Sequence, residues 1–124
     1  MDTRSKIIDR AAAESSWAGQ PPFTVVTGFF DPLTAAHAAR LEEVAGQGGL
    51  LLVVVRTPGR PLLPARARAE LVAGLAAVDG VVIEEGDPAW ISRLPASAVI
   101  HEEEADLART RALLRRVHDR QAAG

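Results

Sequence analysis

Between Gly48-Gly49 and Arg56 lies an unbroken apolar run, Leu50-Leu51-Leu52-Val53-Val54-Val55, which offers no polar face to water. A strand of this kind has to be covered on both sides, the condition met in parallel sheets sandwiched between helices. The rest of the chain supplies strands and helices in alternation. Residues 3–16 read as a helix with Ile7, Ile8 and Ala11 on one side, broken by Gly19, Pro21 and Pro22 before a short β-branched strand, Phe23 to Thr27. Residues 34–46 are Ala-rich, with no Pro and no Gly before Gly46, so they read as a helix that leads into 50–55. Pro64 suits the first turn of a helix running to about Val78, whose apolar stripe is Leu71, Val72, Leu75 and Val78. Strand 81–83, a short helix 87–94 capped by Asp87, strand 97–100 and a last helix 103–120 complete the pattern.

Helices joining successive strands imply crossovers, hence an α/β fold: a three-layer doubly wound, Rossmann-like parallel sheet of about four to five strands. A chain of 124 residues, 48% hydrophobic, fills one core and is too short for two ordinary domains, so residues 1–124 form a single domain. With 14 basic and 16 acidic residues, the overall field gives no reason to expect a nucleic acid or an anionic membrane as partner. No apolar run approaches a membrane span, the first ten residues are charged rather than signal-like, and cysteine is absent; the expectation is a cytoplasmic protein. Thirteen of the fourteen basic residues are arginine, so phosphate recognition in the body of the fold falls to Arg or to the backbone.

Ligands of such sheets lie beyond the carboxyl ends of the strands. The richest strand exit is Thr27-Gly28-Phe29-Phe30-Asp31-Pro32-Leu33-Thr34-Ala35-Ala36-His37. A strand ends there in glycine and turns into a helix with Thr34 as N-cap, a start that presents free N–H groups to an anion. Gly28 lets the backbone come close to a ligand. His37 shares its helix face with Leu41 and Val44, which puts the imidazole on the inward side at the ligand end. Arg68 falls on the stripe of Leu71, Val72 and Leu75, at the same end of the following helix.

Gly28-x-Phe30-Asp31-x-x-Thr34-x-Ala36-His37 resembles the GxFDxx(H/T)xGH signature of the nucleotidyltransferase superfamily. Arg60-Pro61-x-x-Pro64-x-x-x-Arg68 and Gly74-Leu75-x-Ala77-Val78-Asp79-x-Val81-Val82 resemble the heptose-phosphate cytidylyltransferase branch. Together these stretches cover residues 23–83. The resemblance implies the HUP-like nucleotidyltransferase fold of the adenine nucleotide alpha hydrolase type. It also implies transfer of a nucleoside monophosphate from a triphosphate, with CTP the first choice and ATP the alternative. The acceptor is a small phosphorylated sugar or polyol, and pyrophosphate leaves. Mg²⁺, free or nucleotide-bound, is the implied cofactor, no metal ligands are implied in the chain itself, and a homodimer is common in the family.

By the same resemblance His37 and Thr34 are the catalytic pair. Gly28, Phe29, Phe30, Asp31, Ala36, Arg68 and Thr110 contact the nucleotide, and Arg56 and Arg60 contact the acceptor. Two departures stand out: Ala36 replaces the glycine of the signature, and the Ser/Thr-rich segment after the last strand is represented by Thr110 alone. They leave open a non-catalytic paralogue that binds a nucleotide or a partner in the same cleft. Elsewhere simpler readings are preferred. His101, Glu102 and Glu103 read as a solvated helix start, Trp17 and Trp90 as packing residues, and His118 as part of an exposed final helix.

Overall fold

The computed structural model describes residues 2–123, without the side chains of residues 109, 110, 113 and 118–123. Five strands, β1 (Ile7–Ile8), β2 (Phe23–Gly28), β3 (Leu50–Val55), β4 (Gly80–Ile83) and β5 (Ala98–His101), form one sheet in the order β1-β4-β3-β2-β5. Every pairing is parallel. The helices are α1 (Arg10–Ser16), α2 (Ala35–Ala45), α3 (Ala65–Ala73) and α4 (Glu103–Ala123), with 3-10 turns at Thr3–Lys6 and Pro88–Arg93.

The apolar run is the middle strand, as its composition requires, and Leu51 to Val55 are at most 1% exposed. Alternation along the strands feeds two cores. On one face Val26, Val53, Val55 and Val81 meet Leu41 and Val44 of α2 and Ala69 and Val72 of α3. On the other Val25, Leu52, Val54 and Val82 meet Ala13 and Trp17 of the α1 segment and Trp90 and Ile91 of the second 3-10 turn. This is the three-layer doubly wound arrangement read from the sequence. Both tryptophans are packing residues, Trp17 edge-on to Phe23 at 5.2 Å between ring centroids.

Two local expectations are corrected. Residues 3–16 are not one helix: Asp2 caps a 3-10 turn, Ile7 and Ile8 pair with Val81 and Val82 as an edge strand, and Asp9 starts α1 afresh by accepting from the Ala12 N–H at 2.7 Å. α3 ends at Gly74 rather than near Val78, and its buried face is Arg68, Ala69, Val72 and Ala73, leaving Leu71 49% exposed. Residues 88–93 form the expected short helix, of 3-10 type, with Asp87 as its cap.

The chain leaves β2 through α2 to β3 on one side, while β5 returns on the other side of β2. The strand order therefore reverses at β2, and the crevice beyond Gly28 is the topological switch point where ligands of such sheets bind. Gly80, at the head of β4, tests the packing beneath it. A Cβ there would lie 2.6 Å from Trp17 Cζ2 and 3.1 Å from Leu52 Cδ1. Gly80→Ala is expected to destabilise the protein by about 1–3 kcal/mol, read as a lower urea midpoint at unchanged slope.

Candidate active site

The turn leaving β2 is organised around His37. Thr34 caps α2, and the His37 side chain returns the contact, so the two make a reciprocal capping box. The Thr34 N–H donates to His37 Nδ1 at 3.0 Å, and Thr34 Oγ1 lies 2.8 Å from the same nitrogen. A backbone N–H can only donate, so this network assigns Nδ1 as acceptor and leaves the ring proton on Nε2. The imidazole is 3% exposed and packs tilted against the Phe30 ring, 5.4 Å between centroids. The expected inward orientation of His37 and the Thr34 cap are both present.

What faces Nε2 is a carboxylate of the chain itself. Asp106, in the first turn of α4, places Oδ1 2.6 Å from His37 Nε2. Its Oδ2 accepts from the Phe29 N–H at 2.7 Å and, more weakly, from the Phe30 N–H at 3.4 Å. Gly28 makes room: a Cβ on it would sit 2.7 Å from Asp106 Oδ2 and 2.9 Å from the Phe30 ring. The strand-exit donors expected to face a ligand thus converge on one buried carboxylate, 2% exposed. The sequence reading did not single out Asp106. Its signal was the return of β5 beside β2, which carries the first turn of the next helix over the β2 exit.

Asp31 fixes the turn in a specific way. Its carboxylate accepts from the Leu62 and Leu63 N–H groups at 2.6 and 2.9 Å, tying the loop after β3 to the loop after β2. Phe30, between these anchors, is held at φ 50°, a left-handed conformation rare for a bulky residue. Arg68 is fully buried. Its guanidinium donates to the carbonyls of Leu63, Phe29 and Arg56 at 2.7–3.0 Å and to Thr57 Oγ1 at 3.3 Å. Desolvation pushes this guanidinium below its ordinary value, with Asp31 opposing. The residue reaches the ligand end of the fold as expected, but the bonds seen there join the loop after β2 to the two ends of the loop after β3.

Arg56 is one-third exposed and bridges Glu84 at 2.9 Å and Glu103 at 3.2 Å. Desolvation works against its charge, but the bonds to Glu103 and Glu84 more than offset it and hold the guanidinium above its usual value. Arg40 is likewise raised, first by its bond to Glu102 at 2.8 Å. Glu102 and Glu103 are therefore ion-paired to the body of the fold, a correction to the solvated helix start. His101 ends β5 with Nδ1 2.7 Å from Thr27 Oγ1. Arg60 is exposed and lines a small cavity of about 120 Å³ with Phe29, Asp31 and Asp106. A larger cavity of about 380 Å³ opens at the ends of β2 and β5, lined by Thr27, Arg56, Ile91 and His101 among others. Ala36 is exposed on the first turn of α2. The Thr110 and His118 side chains lie outside the described residues.

Among the described residues no three of His, Cys, Asp and Glu converge to hold a metal ion, so they build no protein cage for Mg²⁺. No helix among them is long and apolar enough to cross a membrane.

A crevice at the strand-order reversal, with amide and imidazole donors directed at one anion, lies where doubly wound α/β domains hold their ligands. The chain belongs to the cytidylyltransferase-like family, whose model matches residues 25–119. It is 40% identical over 98 residues to the bifunctional protein HldE of Photobacterium profundum, an alignment covering 68% of this chain and 21% of that protein. With HldE of Alkalilimnicola ehrlichii it shares 39% identity over 77 residues, 54% of this chain and 16% of the other. The chain thus spans about a fifth of the length of these relatives. A crystal structure of the lipopolysaccharide core biosynthesis protein from Thermoplasma volcanium superposes with a TM-score of 0.57 at 25% identity, covering 63% of this chain and 71% of that one.

Removing the Arg68 guanidinium leaves three partly buried carbonyls without this donor. Arg68→Met is expected to cost about 2–4 kcal/mol in urea unfolding, an effect on stability that a residue serving only as a ligand contact would not show.

Proposed function

We propose that the chain is a cytidylyltransferase domain that transfers CMP from CTP to a phosphorylated sugar or polyol and releases pyrophosphate. Family membership supports nucleotidyl transfer, and the structural likeness to a lipopolysaccharide core biosynthesis protein favours a sugar-type acceptor. The observation that carries the reading is the convergence of the His37 Nε2 proton and the Phe29 N–H on one buried anion at the β2 exit.

On this reading an acceptor phosphate oxygen attacks the α-phosphorus in line, the bond to the leaving pyrophosphate breaks, and no covalent enzyme intermediate forms. Negative charge spreads over the α-phosphate as this happens. Preorganised N–H donors stabilise it with no reorganisation at the moment of reaction. His37, fixed on its far nitrogen by Thr34, is the principal donor. Gly28, Phe29 and Phe30 supply backbone contacts, and Thr110 is retained as a triphosphate contact. Arg60, exposed beside the small cavity, and Arg56 meet the acceptor. Arg68 acts through the loops it joins. Mg²⁺ enters as the counter-ion of the nucleotide.

One observation favours a second reading, a nucleotide- or partner-binding protein without turnover: Asp106 stands where the α-phosphate would be held. Calorimetric titration with CTP and with ATP, followed by pyrophosphate release over a panel of phosphorylated sugars and polyols, separates the cases. The expectation is CTP bound in preference to ATP, turnover with one acceptor class, and a loss of about 10²–10⁴-fold in kcat for His37→Ala. Preference for ATP makes the domain an adenylyltransferase, and binding without pyrophosphate release supports the second reading.

A further inference from the structure

We propose that Asp106 is an intramolecular stand-in for a phosphate group. The β2 exit is a complete anion site for phosphate or pyrophosphate, closed by the chain's own carboxylate, and it opens when the first turn of α4 withdraws. The proposal rests on the reading above for its biological ligand, but its geometry stands apart from any nucleotide.

The donors are held in place by contacts that do not involve Asp106. His37 is oriented by Thr34 through Nδ1, so Nε2 keeps its direction whether or not Asp106 faces it. The Phe29 backbone is gripped from behind by Arg68, which donates to its carbonyl at 2.9 Å. Room for an oxygen at this point is reserved by the missing side chain of Gly28. A phosphate offers two oxygens along one edge, as the carboxylate does, with more charge for the same three N–H groups.

The plug is also attached in a way that lets it leave. Apart from Asp106, the ties seen among the described residues at the start of α4 are the Glu102 N–H to the Thr27 carbonyl at 2.8 Å, where β5 gives way to the helix, and two ion pairs, Arg40–Glu102 at 2.8 Å and Arg56–Glu103 at 3.2 Å, both through arginines about one-third exposed. Fully exposed ion pairs contribute about 0–1 kcal/mol each, and these two, whose carboxylates are 11% and 15% exposed, lie between that limit and a buried pair. Beyond Asp106 the helix is weakly embedded: Leu107 is 38% exposed and Leu114 54%. Arg60, beside Asp106 in the small cavity, is placed to meet an incoming anion as the carboxylate departs.

The test uses inorganic pyrophosphate as probe, titrated calorimetrically into the wild type, Asp106→Ala and Glu102→Gln, each checked for fold by circular dichroism. Removing the plug is expected to tighten pyrophosphate binding by about tenfold or more. Loosening it through Glu102→Gln should give a smaller gain in the same direction. Equal affinity in wild type and Asp106→Ala overturns the proposal, as does a folded Asp106→Ala that binds no pyrophosphate. Should Asp106→Ala fail to fold, Glu102→Gln decides: a gain supports the plug and no gain overturns it. CTP and ATP run in the same series keep the two readings apart. An Asp106→Ala protein that takes pyrophosphate but neither nucleotide sustains the plug and defeats the nucleotidyl reading. A wild type that binds CTP with no gain in Asp106→Ala does the reverse.

Discussion

The contact between His37 Nε2 and Asp106 Oδ1, 2.6 Å long and almost fully shielded from water, sets the form of the whole carboxyl edge of the sheet. A carboxylate placed that deeply is tolerated only if its oxygens are met by donors, since an unmet buried charge costs several kcal/mol. The surrounding residues meet that demand. Thr34 occupies the other ring nitrogen and so directs the imidazole proton outward, and the Phe29 and Phe30 amides turn toward the second oxygen. Gly28 is bare where a side chain would collide. Because Asp106 belongs to α4 and its donors to β2 and α2, the same bonds that satisfy the charge also fasten the last helix to the centre of the sheet. Local chemistry and overall architecture share one set of atoms.

Arginine is used throughout this edge as a connector. Arg68 reaches three carbonyls in two loops, which a lysine ammonium on a single flexible stem could not do at comparable geometry. Its charge is held against desolvation with help from Asp31, and Asp31 is itself engaged with the Leu62 and Leu63 amides. Arg56 and Arg40 do for α4 what Arg68 does for the loops. The near-neutral composition thus conceals a local alternation of guanidinium and carboxylate, in which each buried charge among the described residues has a defined partner. The cations here are built into the fold, and Arg60 is the exposed guanidinium that faces the small cavity beside Asp106.

The sheet was legible because its strands obey one rule, burial on both faces, that an unbroken apolar run announces directly. β2 and β3 and the α2 cap match their sequence readings to within a residue or so. What escaped was set by tertiary contact. Ile7 and Ile8 become a strand because β4 offers them an edge, and two residues are too few for periodicity to reveal it. Leu71 reads as part of an apolar stripe, yet the helix turns small residues and Arg68 inward because the loops need a guanidinium. At the site, His37, Thr34 and Gly28 were legible since strand exit, cap and helix face are local matters. Asp106 was not, because its meaning depends on β5 pairing with β2 across more than seventy residues of chain.

A tethered carboxylate differs from a dissolved inhibitor in one respect that shapes how such a site behaves. Its local concentration is fixed by the chain, of millimolar order for short flexible tethers and higher where a rigid helix delivers it, so dilution never removes it. The affinity of any phosphate ligand is then the intrinsic affinity scaled by the fraction of molecules with the turn withdrawn. A site open about 1% of the time binds about a hundredfold more weakly than its donors allow. That fraction is set first by the bonds of Asp106 to the donors and then adjusted from a distance by the Arg40 and Arg56 pairs at the start of α4. The donors set which anion is recognised and the rim pairs set how readily it is admitted, so the two properties can vary independently in one small domain. Such a division lets an anion site persist intact beneath a segment that keeps it closed.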